Sequence, residues 1–364
     1  GEREMIMPTD YVPLLRWRMG EYQALEKLDP GLKAGVVPLI EVLPPDYDFE
    51  LRKPKKEIGE QLSPFAKQLK KRWGDGPALL DAGQLPAATR MDDGRHPLTF
   101  LFDETRAQEA ALTPVTALDR DDDYQQAVFL IDAIDGRGVA LRCTLDEALD
   151  PDFDTNVDTL LTRLEIEADA LDILLDLQCP AYDPQDGLIA VVTAALSGAT
   201  ILGDARSVTV IATSFPDSLA DLKQAIQFLP RREWLLYKAL VAQLPQGVRR
   251  PGFGDYAVAA VTFAQGDMRF MRGSPNIRYA VDDGWLVAKA KRDKGGSNQA
   301  YPGLCSYLTA SGRFLGPTFS AGSAYIDGCR TGSEKRGNQT TWKWVATNHH
   351  ITKVVDDLAR LNGL

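Results

Sequence analysis

The chain has 364 residues, a formal net charge of −10 and an apolar content of 44%, which is ordinary for a soluble globular protein. The acidic total disfavours a duplex nucleic-acid binder, because such proteins usually carry a basic face, and no apolar run approaches the roughly 20 residues that span a bilayer. The four cysteines form no CxxC pair, so we expect free thiols and a cytoplasmic location.

Eight short apolar runs follow one another along the chain, and most of them end in a charged or polar residue. They cover residues 11–16, 36–41, 77–81, 112–117, 139–142, 173–176, 208–214 and 252–256. Runs without alternating polar residues have no solvent-exposed face, and such runs are typical of parallel strands covered by helices on both sides of the sheet. Eight such units predict an α/β protein with a closed TIM-like (β/α)8 barrel.

The gaps between these runs mostly hold one amphipathic pattern each, which indicates one helix per gap. We expect helices over residues 20–28, 57–73, 97–109, from about 122, 155–169 and 186–202, with a loop over 84–96. The seventh and eighth strands should be joined by two helices, one from Pro216 to just before Pro230 and one over 232–244.

After the eighth run the pattern changes. Residues 277–281 and 285–289 flank an Asp-Gly turn, which predicts a β-hairpin, and short helices are expected at 297–310 and 318–328, followed by a closing helix at 340–361. We therefore expect a barrel over 1–271, a capping insertion with the hairpin and short helices over 272–339, and a closing helix over 340–364 that packs on the barrel. The hairpin and helices form a C-terminal extension to the barrel.

Acidic residues end or follow four of the runs, at the face where barrels of this kind build their sites. An acid that faces a low-dielectric cavity has to be paired, hydrogen-bonded, protonated or metal-bound. We expect Glu41, Asp176 and Asp255 to act as bases, and these three with Asp81 are the candidate ligands of a possible divalent metal of unknown identity. The competing interpretation is a structural ion-pair network at the barrel mouth.

Other residue types near the same face suit an anionic substrate. Arg16 and Arg142 end two strands, and a guanidinium binds phosphate in a fork. Ser214 is expected to precede a helix N-terminus, which is either an anion site or a simple cap. Tyr256 follows Gly252-Phe253-Gly254-Asp255, where the glycines permit close approach of a ligand.

His349 and His350 lie next to each other on the expected closing helix. Adjacent helical positions point about 100° apart, so the pair does not readily bind one metal. One of them is expected to be an acid–base group, and the alternative is a packing or capping pair. The remaining histidine, His96, lies in the expected loop.

Several motifs resemble those of the phage-type Beta protein family, and the resemblance covers nearly the whole chain. They are Tyr11–Trp17, Gly20–Tyr22, Pro38–Val42, Phe253–Tyr256, Ile277–Tyr279, Ser320–Gly322, Gly337-Asn338, Thr341-Trp342 and Thr347–Ile351. The family occurs in phages and bacterial genomes, often near mobile or defence-related genes, and brings no established chemistry. The resemblance implies a role in phage–host conflict and gives weight to Arg16, Glu41, Asp255, Tyr256, Arg278, Tyr279, Asn348, His349 and His350, which adds Arg278 and Tyr279 to the expected substrate contacts.

Two functions from different classes remain open. The first is a hydrolase or ligand-binding enzyme that acts on a phosphate-bearing small molecule or nucleotide at the strand C-terminal face. The second is a non-catalytic protein of phage–host conflict that binds a protein or nucleotide through aromatic residues of the C-terminal part, namely Trp285, Tyr301, Tyr307, Tyr325 and Trp342, although large rings more often belong to the core. The basic cluster 289–294 leaves nucleic-acid binding as a weaker option, and the segment 295–301 is a candidate lid.

Overall fold

The computed structural model describes residues 6–262, 273–291 and 298–363. The candidate lid at 295–301 and the basic cluster at 289–294 therefore lie partly outside the described residues, and the expected domain boundary at 271/272 lies wholly outside them. In the described parts the strands are β1 Tyr11–Arg16, β2 Leu39–Glu41, β3 Tyr47–Asp48, β4 Lys53–Pro54, β5 Ala78–Asp81, β6 Leu112–Thr116, β7 Val139–Cys143, β8 Leu171–Gln178, β9 Ser207–Ala212, β10 Ile226–Pro230, β11 Gly252–Asp255, β12 Asn276–Val281 and β13 Gly284–Lys289.

Eight of these strands close into a barrel in the order β1-β11-β9-β8-β7-β6-β5-β2. Every pairing in the barrel is parallel, as in the register of Arg16 with Glu41 and of Glu41 with Asp81. The strands coincide with the eight apolar runs, so the predicted TIM-like barrel is confirmed. The carboxyl ends of all eight strands consequently meet at one mouth.

Helices fill the connections between the barrel strands and complete the C-terminal part. In the described residues they are α1 Met19–Glu26, α2 Pro30–Lys33, α3 Ile58–Leu62, α4 Phe65–Arg72, α5 Pro97–Ala107, α6 Asp122–Asp135, α7 Leu145–Leu149, α8 Phe153–Leu164, α9 Gln185–Gly198, α10 Thr200–Asp204, α11 Arg232–Gln243, α12 Tyr301–Thr309, α13 Ala321–Thr331 and α14 Gln339–Leu361. None of them combines the length and the apolar character that crossing a bilayer requires.

One helix expected from the sequence is a strand in the structure. The segment from Pro216 to Pro230 forms turns and then β10, which pairs with β13 in antiparallel register from Ile226↔Ala288 to Pro230↔Gly284. The helix predicted from the start signal at Pro216 does not form. Residues 226–230 satisfy their backbone hydrogen bonds by pairing with the hairpin instead. The helix predicted over 57–73 is also interrupted, since Ser63 and Pro64 separate α3 from α4.

The C-terminal extension is a three-stranded antiparallel sheet, β10-β13-β12, covered by α12 and α14, with α13 packed against these two helices. The predicted hairpin is β12 and β13, joined at Asp282-Asp283 with a positive φ of 58° at Asp283. Of the aromatic residues considered for a contact surface, Trp285, Tyr301 and Trp342 are buried. Tyr307 alone among the five has a largely exposed ring, 53% accessible, so most of these aromatics belong to the core.

Alternation along the barrel strands separates two apolar layers. One set of side chains fills the barrel interior and includes Val12, Leu14, Leu39, Leu79, Ala140, Leu174 and Ile211. The intervening residues point outward and pack with the helices, as Leu15, Ile40 and Leu80 do. Since successive strand residues face opposite sides, the position of a polar residue in this alternation decides whether it reaches the mouth.

Candidate functional site

The interior set ends at the mouth in a layer of charged side chains. Arg16, Glu41, Asp81, Arg142 and Asp176 each lie two residues beyond an interior apolar residue of the same strand. Tyr256 follows Gly254 with the same spacing on β11. The alternation therefore brings five of the charged residues expected at the site into one layer.

Arg142 is the centre of this layer. Its Nε donates to Asp176 Oδ2 at 2.9 Å, and its Nη1 donates to Asp81 Oδ2 at 3.1 Å and lies 3.3 Å from Glu41 Oε2. Tyr256 donates its phenol hydrogen to Asp176, with the oxygens 2.7 Å apart. Burial by itself would lower the pKa of Arg142, but the carboxylates raise it well above the ordinary value.

Asp81 is held from two sides. Arg120 binds it in a fork, with Nη1 2.8 Å from Oδ1 and Nη2 3.1 Å from Oδ2. Burial acts to raise the pKa of Asp81, but Arg120 and then Arg142 outweigh it and lower the pKa to about 2. A carboxylate this acidic is a weak base at neutral pH.

Charges in the layer balance. Glu41, Asp81 and Asp176 face the guanidinium groups of Arg16, Arg120 and Arg142, and Gln84 donates to Glu41 Oε2 at 3.1 Å. We call these six charged residues the ion-pair ring. This arrangement matches the structural network that was the competing interpretation of the strand-end acids, and it positions Tyr256 at its edge.

Asp255 lies outside the ring. Its side chain points outward from the barrel, as that of Phe253 two residues earlier does, and reaches α14. There Oδ2 lies 2.7 Å from His350 Nε2. Oδ1 accepts from the Tyr11 hydroxyl and from the Ala257 amide. All of these groups are buried, so Asp255 ties the barrel wall to the closing helix.

The hydrogen bonds of His350 set its tautomer. Trp285 Nε1, which can only donate, lies 3.1 Å from His350 Nδ1, so Nδ1 accepts. The proton is then on Nε2 and is donated to Asp255.

His349 is buried in the C-terminal extension. Its ring stacks on Tyr279 with centroids 3.8 Å apart, Nε2 lies 2.7 Å from the Ala280 carbonyl, and Ser320 Oγ lies 2.9 Å from Nδ1. Burial lowers the pKa of His349 to about 3. Tyr279 and both histidines are thus packed between α14 and its neighbours and do not line the mouth in the described residues.

Ser214 caps a helix, but not the one expected. Its Oγ accepts from the Arg232 amide at the start of α11 and donates to Glu233 Oε2. Glu233 is buried, and burial, followed by the charge of Asp255, raises its pKa to about 7. No sequence signal singles out Glu233, because it reads as an ordinary first-turn acid.

A cleft of about 190 Å³ opens beside the ring, between the barrel mouth and the C-terminal extension. Arg16 of the ring and Tyr256 at its edge both line the cleft, while Arg278 comes from β12 and Lys343 from α14. We call it the cationic cleft, because its charged lining residues in the described parts of the chain are four cations against two acids: Arg16, Arg18, Arg278, Lys343, Glu21 and Asp217.

Gly20 lets the two helices of the cleft approach each other. A Cβ at this position would lie 2.7 Å from Cβ and Cγ of Lys343, so a larger residue would push α14 away from α1. The close packing leaves Lys343 Nζ 3.7 Å from Glu21 Oε1. Burial and the neighbouring Arg278 and Arg16 lower the pKa of Lys343 to about 8, against the opposing charge of Glu21.

Arg278 contacts neutral groups in the described residues. Its guanidinium donates to the Val258 carbonyl and to Asn276 Oδ1, and it lies 4.2 Å above the Phe215 ring. No carboxylate of the described residues lies within ion-pair distance of it. Burial lowers the pKa of Arg278.

Three contributors to the site were missed from the sequence. Arg120 and Lys343 carry no motif of their own, and Glu21 appeared only within the Gly20–Tyr22 motif. Their helical or loop positions become informative once the topology places α1 and α14 at the same end of the barrel. Among the described residues, no group of three or more His, Cys, Asp or Glu side chains is arranged to hold a metal ion, so the metal ligands proposed from the sequence stay a prediction.

A comparison with curated proteins found no match. Among solved structures, the chain is similar to active domain 2 of a thermostable chitinase from Pyrococcus furiosus, at 10% identity over 70% of this chain and 85% of that chain. The TM-score of 0.37 is too low for any argument about this protein. The model of the Beta protein family matches residues 11–356, nearly the whole length. The chain belongs to the Beta protein family.

Proposed function

We propose that this protein binds a phosphate-bearing small molecule or nucleotide in the cationic cleft, as a ligand-binding protein or a hydrolase. The observation that carries the proposal is Arg278, a desolvated guanidinium that lines the cleft without a carboxylate partner among the described residues. Arg278 is half-buried, and removing a cation from water is costly unless the cation is paired. An anionic ligand supplies the missing charge, and a guanidinium suits phosphate oxygens.

The position of the cleft supports the same function. It lies at the carboxyl ends of the barrel strands, where sites on this architecture are found. Arg16 from β1, Arg278 from β12 and Lys343 from α14 approach it from three elements, so a bound anion would be held from several sides. The ion-pair ring beneath it fixes Tyr256 and, through Glu41, restrains Arg16.

Hydrolysis is the second candidate, and Lys343 is the observation that favours it. With a pKa of about 8, its amine exchanges a proton near neutral pH, which Asp81 with its pKa of about 2 does less readily. Titrations with nucleotides that are also followed for release of inorganic phosphate separate binding from hydrolysis.

Calorimetric titration with inorganic phosphate tests the proposal. Arg278→Met should raise the Kd for phosphate at least about tenfold, since hydrogen bonds to charged groups contribute about 1.5–3 kcal/mol. Arg313→Met is the matched control, because Arg313 also stacks on an aromatic ring, that of Phe228 at 4.7 Å, but does not line the cleft. Phosphate binding that is absent in the wild type, or equally affected by both substitutions, would contradict the proposal.

A further inference from the structure

The two acids that line the cationic cleft differ in their hydrogen bonding. Asp217 Oδ1 accepts from Thr262 Oγ1 at 2.6 Å. Glu21 is 6% exposed, and its Oε2 has no hydrogen-bond partner in the described residues. Its other oxygen is 3.7 Å from Lys343 Nζ, which is ion-pair distance but too long for a hydrogen bond.

An unsatisfied buried carboxylate oxygen is costly, and each such group in a native structure calls for an explanation. An ionised carboxylate only accepts hydrogen bonds. The group that satisfies Glu21 Oε2 must therefore be a donor, such as a hydroxyl. An unprotonated phosphate oxygen cannot fill this role, because it is itself an acceptor and negatively charged.

The cleft thus presents two different chemistries side by side. Arg278 and Lys343 suit an anion, and Glu21 suits a neutral donor next to that anion. A carboxylate in an otherwise cationic site weakens the binding of a bare anion by repulsion. It favours a ligand whose donor group compensates for that repulsion.

The volume of the cleft further limits the size of the ligand. The cleft holds about 190 Å³, whereas sites for drug-sized ligands hold about 300–1,000 Å³. A short phosphorylated compound fits this volume better than a nucleotide does.

We infer that the ligand of the cationic cleft is a small phosphorylated polyol, with its phosphate on Arg278 and Lys343 and a hydroxyl donating to Glu21. The inference rests on the proposed function and names the ligand class of the same site. Glu21 is the specificity residue in this assignment, since it separates a phosphorylated polyol from phosphate esters without hydroxyls.

The test compares three probes on the wild-type protein by calorimetry: inorganic phosphate, propyl phosphate and glycerol 3-phosphate. The two esters have the same number of carbons and differ in the hydroxyls. We expect glycerol 3-phosphate to bind about tenfold more tightly than propyl phosphate, as one charged hydrogen bond provides.

Glu21→Met should remove this preference and bring the ratio of the two Kd values close to one, while binding of propyl phosphate is kept or strengthened. Glu26→Met is the matched control, because it removes one acid from the same helix, α1, where Glu26 pairs with Arg72. This control should keep the roughly tenfold preference.

The outcomes separate the two proposals. If propyl phosphate binds as tightly as glycerol 3-phosphate to the wild type, or if Glu21→Met keeps the preference, the polyol assignment is overturned and anion binding stands. If none of the three probes binds, both the assignment and the proposed function fall.

Discussion

At the scale of single residues, parity along each strand decides which polar groups meet. Arg16, Glu41, Asp81, Arg142 and Asp176 share the interior parity and form the ring with Arg120. Asp255 precedes Tyr256 by one residue, so its side chain faces the opposite side of the strand and lies against His350. The sequence shows that a charged residue ends each of these runs, so the residue types of the ring could be predicted. A shift of one residue turns a side chain to the other face of the sheet, so the direction of the Asp255 side chain could not.

Arg142 should be essential to stability, because its removal leaves three carboxylates buried near one another. We expect Arg142→Met to lower the free energy of unfolding by about 3–5 kcal/mol in urea titrations at neutral pH. Arg163→Met is the control, since its ion pair with Asp122 is exposed and contributes less than about 1 kcal/mol. A loss for Arg142→Met no larger than that of the control would show that the ring is not a coupled network.

At the scale of elements, apolar periodicity predicts the barrel strands and most helices, but it does not predict β10. The segment before Pro230 has a helix-start signal at Pro216, yet β10 forms there because β13 offers it an antiparallel edge. That edge belongs to residues far along the chain, so local pattern carries no information about it. The same holds for the cleft, which depends on α1 packing against α14.

The contact between α13 and α14 has no room for a side chain at Gly322. A Cβ there would lie 2.3 Å from the Val345 carbonyl oxygen and 3.0 Å from His349 Cβ. We expect Gly322→Ala to lower the free energy of unfolding by about 1–3 kcal/mol, as overpacking does.

Gly303→Ala in α12 is the matched control for this substitution, because nothing lies within 4 Å of the added Cβ. Replacing a helical glycine at such a position should leave stability unchanged or raise it by up to about 1 kcal/mol. Thermal unfolding of both variants measures the difference, and equal melting temperatures would mean that α13 and α14 are packed less closely than described.

At the scale of the whole molecule, the C-terminal extension completes the site. The barrel contributes Arg16 and Tyr256, and the extension contributes Arg278 and Lys343 to the same cleft. Asp255 and His350 fix the two parts to each other through buried hydrogen bonds. We therefore expect a single anion site that depends on both parts of the chain.

The most direct measurement is a calorimetric titration of the wild-type protein with sulfate at about pH 6.5 and about pH 9.5, on either side of the Lys343 pKa of about 8. Sulfate keeps its charge across this range, so any change belongs to the protein. Lys343 is an ammonium below its pKa and a neutral amine above it, so we expect several-fold weaker binding at the higher pH, and little change in Lys343→Arg, whose guanidinium stays charged. Absence of binding at both pH values, or a wild-type affinity that is the same at both, would contradict the account.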